Sequence, residues 1–133
     1  MTINLLAIGL AAVAGSSAVA VEDWRPSSSA GEARAYIDTE TIRREGDLVH
    51  FWRDLRWGEP RSFSNGTRYD RFVTEYRGDC RARTLRSLSV LVKLGDELVL
   101  TIDEDGELES VRPGSTADVD LRAACFGEWP AAH

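Results

Sequence analysis

At 133 residues the chain has room for one domain, and its formal net charge of −6, from 16 basic and 22 acidic residues, argues against the basic surface that a phosphate backbone demands. Nucleic acid is therefore not an expected partner. Lys93 is the only lysine. The basic residues are otherwise arginines, whose planar guanidinium groups suit carboxylate and sulfate ligands.

In chain order, Met1 to about Ala20 is apolar and uncharged, and Ala18-Val19-Ala20 has the small-x-small pattern that signal peptidase accepts. The stretch weakens into Gly15-Ser16-Ser17, which favours removal over a spanning helix of ~20 apolar residues. The leader lacks the usual early Lys or Arg. No cysteine lies near the cleavage region, so lipid modification is not expected, and a periplasmic or secreted location is. The chain then divides into a signal peptide (1–20), an N-terminal linker (21–32), a domain (33–127) and a tail (128–133).

Trp24 is expected to be the first residue to pack on the core, followed by a Ser27–Gly31 loop. Ala33 to Asp38 reads as a strand, with Asp38 placed to cap a turn through Ile42. After a turn at Glu45-Gly46-Asp47 comes the clearest strand, Leu48 to Trp57. Val49, Phe51, Leu55 and Trp57 share one face, interrupted by Arg53, while Leu48, His50, Trp52, Asp54 and Arg56 share the other. Glu59 to Thr67 is a loop whose Asn65-Gly66 pair favours a tight turn and outweighs its reading as a glycosylation sequon. Tyr69 to Cys80 is the next strand. Thr84–Leu94 and Glu97–Asp103 form a hairpin across Gly95-Asp96, and a short strand from Leu108 to Arg112 follows an acidic turn. Pro113-Gly114 stops it. Ser115 is an N-cap, Asp118 puts negative charge near the positive end of the helix dipole, and Gly127 ends the helix. The expected fold class is α+β: an antiparallel sheet of about five to six strands with one C-terminal helix packed on one face.

An even cysteine count in an exported chain reads as a disulfide. Cys80 falls on the core face of its strand and Cys125 on the apolar face of the helix, so a bridge between them would tie helix to sheet. No C-x-x-C is present, and His50 and His133 are the only histidines. No phosphate loop, zinc motif or nucleophile elbow occurs, so no catalytic residue, metal or cofactor is expected. The acidic run Asp103–Glu107 fails the calcium-loop pattern. His50 with Asp54 or Glu75 is the one pair from which a small periplasmic enzyme could be built. Arg53 to Arg86 holds nine arginines against five acids, and Gly95 to Asp120 nine acids against Arg112 alone. Such asymmetry supports either self-association in a structural envelope component or exposed ion pairs across the sheet.

Four landmarks in order resemble the surface-adhesin protein E-like family of Gram-negative envelope proteins. They are Tyr36-Ile37-Asp38 leading into the Val49–Trp57 strand, Asp79-Cys80 followed by Arg83, Val111-Arg112-Pro113-Gly114-Ser115, and Cys125 near the end. Leu108 departs from the tryptophan expected there. The resemblance implies a sheet packed by a helix with Cys80 and Cys125 joined, and an exported, non-enzymatic protein. The family's namesake is a lipid-anchored adhesin for extracellular-matrix and serum proteins. The resulting expectation is an envelope or surface protein that binds a protein partner. It would do so through an exposed sheet face around Arg53, Arg56 and Arg71, or through an open sheet edge.

Overall fold

The computed structural model describes residues 22–131; the leader read from 1–20 lies outside the described residues. Eight strands form one antiparallel sheet curled as a half-barrel. They are β1 (Trp24–Ala30), β2 (Ala33–Asp38), β3 (Arg43–Glu45), β4 (Leu48–Ser62), β5 (Arg68–Asp79), β6 (Thr84–Leu94), β7 (Glu97–Ile102) and β8 (Glu109–Ser110). The order across the sheet is β1-β2-β4-β5-β6-β7, with β3 also on β4 and β8 also on β6. Helix α1 (Thr116–Phe126) follows.

Two strands exceed the expectation and a third is longer than expected, each for a physical reason. Ser27–Ala30 is not a loop but the second half of β1, with Gly31 alone staying in the turn, and β1 pairs with β2 through a register shift between Pro26 and Ser29. Pro26 is tolerated because β1 is an edge strand. β3 adds a short ladder to β4 beyond the 3-10 turn Thr39–Thr41, which Asp38 caps by accepting from the Glu40 N–H. β4 also continues through Pro60 to Ser62, with the register shift between Arg56 and Arg61 absorbing the proline. The Asn65-Gly66 turn forms as expected, and Asn65 Oδ1 accepts from the Thr67 N–H. The strand read from Leu108 to Arg112 shrinks to β8.

One face of the sheet carries the helix. Ile37, Val49, Phe51 and Leu85 pack there against Leu121, Ala123 and Ala124. The close approach depends on Gly78, where an added Cβ would lie 2.7 Å from Leu121 Cδ1 and 3.2 Å from Val49 Cγ1. Cys80 and Cys125 are bonded, with their Cα atoms 5.8 Å apart. A loop of 45 residues closed in this way restricts the unfolded chain by roughly 4 kcal/mol in the chain-entropy account. Trp129, placed in a tail by sequence, packs against this core beneath the Arg25 guanidinium. Further along the same face, at the tip of the β4–β5 hairpin, Phe63, Tyr69 and Phe72 stack, and Trp57 meets Tyr69 and Phe72 edge-on.

Arg83, Val111–Ser115 and Cys125 converge on the helix junction. Arg83 adopts a left-handed backbone, φ 61°, uncommon for a side-chain-bearing residue. Its carbonyl accepts from the Val111 N–H, and its guanidinium pairs with Asp118 on the helix. Asp118 also accepts from the Gly114 N–H, while Ser115 Oγ accepts from the Asp118 N–H. At the other end Arg44 donates to the Cys125 carbonyl, a cation at the negative end of the dipole.

Candidate functional site

The three candidate arginines do not share a face. On β4, Arg53 follows Val49 and Phe51 onto the helix side, where it donates to Asp120 Oδ2 at 3.0 Å and to the Tyr76 hydroxyl at 2.9 Å. Burial works against the Arg53 charge, but the attraction of Tyr76 and Asp120 outweighs it and raises its pKa; burial likewise pushes the Tyr76 phenol up. Arg53 therefore braces helix against sheet and is not part of an exposed face. The reason is the strict alternation of an extended strand.

Arg56 and Arg71 do meet, on the face away from the helix. β4 and β5 set them directly opposite each other. Between them lies Asp54, fully buried. Its Oδ2 accepts from Arg56 Nε at 2.8 Å and from Arg71 NH2 at 2.6 Å. The bonds to Asp54 hold Arg71 more firmly protonated than a free arginine. Arg71 spends its remaining nitrogen on the Gly95 carbonyl and the exposed Asp96. Arg56 is held only through Nε. Its guanidinium stacks 4.2 Å from the Tyr36 ring and 5.9 Å from that of Trp24. Among the described residues its two terminal nitrogens make no hydrogen bond.

Beside this pair a trough enclosing about 540 Å³ runs across the strands. Trp24, Trp52, Val73 and Leu91 supply its apolar surface. Arg43, Arg71, Lys93, Asp38, Glu40 and Asp96 ring it, giving both signs of charge. Trp24 thus lines a surface groove rather than opening the helix-side core. Neither tryptophan nor Tyr36 was singled out by sequence reasoning for this role. The available signal was parity, because Trp52, Asp54 and Arg56 alternate on one face of β4.

His50 lies on the same face, 2.6 Å from Glu75 Oε2, and Ser89 Oγ donates to the other oxygen of Glu75. Asp54 is engaged by the arginines. The carboxylate, not the imidazole, stands in the middle, so His50 is not positioned to take a proton from Ser89. Among the described residues no group of three or more His, Cys, Asp or Glu side chains could hold a metal ion.

The two oppositely charged segments pair within the molecule. Arg53–Asp120, Arg83–Asp118 and Arg71–Asp96 join them. The first two rest on buried aspartates, rather than being exposed pairs of little weight.

Compared with known proteins, residues 24–126 match the surface-adhesin protein E family. The chain belongs to that family. The match starts at the first residue of β1 and ends at the last of α1, so it covers the whole sheet and the clasped helix. No curated protein matches the chain. Membership of a surface-adhesin family implies an extracytoplasmic location and is consistent with a protein partner. No helix among the described residues is long and apolar enough to cross a membrane.

Proposed function

We propose that the chain is a non-catalytic adhesin-like module, exported by its N-terminal leader, that grips a protein partner with the face away from the helix. One observation carries the reading: the Arg56 guanidinium is pinned by a buried carboxylate, stacked on Tyr36 and set 5.9 Å from the ring of Trp24, which lines the trough. Trp, Tyr and Arg are the residues that dominate binding energy where proteins meet. A guanidinium already fixed in place loses little freedom when it takes a carboxylate in bidentate fashion. The fitting partner surface is an acidic side chain beside an aromatic or aliphatic one.

The alternative of a self-associating structural component is weakened by the internal ion pairs, which already engage Asp96, Asp118 and Asp120 of the acidic segment with Arg71, Arg83 and Arg53. The enzyme reading is weakened by the Glu75-centred geometry around His50.

The test uses the native disulfide-bonded protein against immobilised envelope proteins and extracellular-matrix proteins. A binder found with wild type is expected to lose at least about tenfold in affinity, ~1.4 kcal/mol, with Trp52→Ala/Arg56→Ala. Melting of the variant checks that the fold persists. Unchanged affinity in a folded double variant contradicts the reading.

A further inference from the structure

We propose that the outer edge of β7 accepts an extended, cation-flanked segment of another protein as an added strand. This surface shares only Asp96 with the lining of the trough and stands whether or not the trough binds. β7 is hydrogen-bonded by β6 on one side, and no strand covers its other side among the described residues. Of the large apolar side chains exposed in the molecule, Leu98 (54%), Leu100 (44%) and Ile102 (41%) all lie on this one short strand. Unpaired backbone beside exposed apolar side chains is a template for pairing.

The two edges of the sheet are treated differently. β1 carries Pro26, a register shift and the packing of α1, each of which obstructs an incoming strand. β7 has a register shift opposite Val92 and Lys93 but no proline, lysine or arginine between Glu97 and Ile102.

Charge selects the occupant. Asp96 and Glu97 stand at one end of β7, and Asp103, Glu104 and Asp105 at the other. Apart from Asp96, which reaches Arg71 at 3.4 Å, these acids make no ion pair among the described residues. Two antiparallel copies of β7 would set Glu97 of each against the Asp103 end of the other, and a parallel pair would set Glu97 beside Glu97. Like charges directly opposite destabilise a ladder, so a second copy is the wrong occupant. A strand with lysine or arginine at both ends and alternating apolar residues between them is complementary. Leu100 and Ile102 pair with Val92 and Val90, so the apolar side chains of such a strand would extend the helix-bearing face.

The test uses two fluorescent peptides with the same alternating threonine–valine core, one flanked by lysines and one by glutamates. With native full-length protein the lysine peptide is expected to bind, to weaken by about tenfold or more from low to high salt, and to slow amide exchange across Glu97–Ile102. The glutamate peptide should not bind. Glu97→Lys/Asp103→Lys/Glu104→Lys should invert the preference. Failure of the lysine peptide to bind, equal binding of both peptides, binding without protection of β7, or a wild-type dimer with β7 already protected would each overturn the proposal.

Discussion

Asp54 is a charged side chain with no exposed surface, and the positions of Arg56 and Arg71 depend on it. Arg56 and Arg71 keep 37% and 19% of their side-chain surface exposed, so removing Asp54 forfeits charged hydrogen bonds without leaving a fully buried cation, a cost of about 1.5–3 kcal/mol. Asp54→Ala is therefore expected to lower unfolding free energy by that order in chemical denaturation. A loss below about 1 kcal/mol, the range of an exposed pair, would mean the cluster is not held as described. Strand alternation in the sequence already separates Arg53 from Arg56, and the structure keeps that separation. The burial of Asp54 was not legible, because a carboxylate on the polar face of a strand reads as solvent-facing. What covers it, Arg71 from β5 and Tyr36 from β2, comes from residues far away in sequence.

At the level of elements, the helix junction is held by Gly78, the Ser115–Asp118 cap, the Arg83–Asp118 pair and the disulfide. Gly78→Ala would place a Cβ where Leu121 packs. Overpacking of this kind costs about 1–3 kcal/mol, and a shift of ~4–8 °C in melting temperature per kcal/mol is the scale for a domain near this size. An unchanged melting temperature would show that the helix can slide away without loss. The cap and the cysteine pair were readable from the sequence, since Ser115, Gly127 and the parity of Cys80 are local signals. Gly78 gave no signal, because its value lies in what crosses over it. β1 was hidden for a related reason: Ser27 to Ala30 has the composition of a loop, and only pairing with β2 makes it a strand. β3 and the far end of β4 owe their conformation to the same tertiary pairing.

For the whole molecule, the motifs that place the chain in the surface-adhesin protein E family are scaffold. Tyr36-Ile37-Asp38 enters the sheet, and Arg83, Val111–Ser115 and Cys125 dock the helix, so the family was legible and the surface proposed to bind was not. The division of labour, with one face clasped under a helix and the opposite face open, is the central claim. Site-specific photo-cross-linking on intact cells tests it most directly, with a benzophenone side chain replacing Lys93 on the rim of the trough in one variant and Arg122 on the exposed side of α1 in another. The account predicts a discrete protein adduct from position 93 and none from position 122. An adduct from 122 with none from 93 would contradict it.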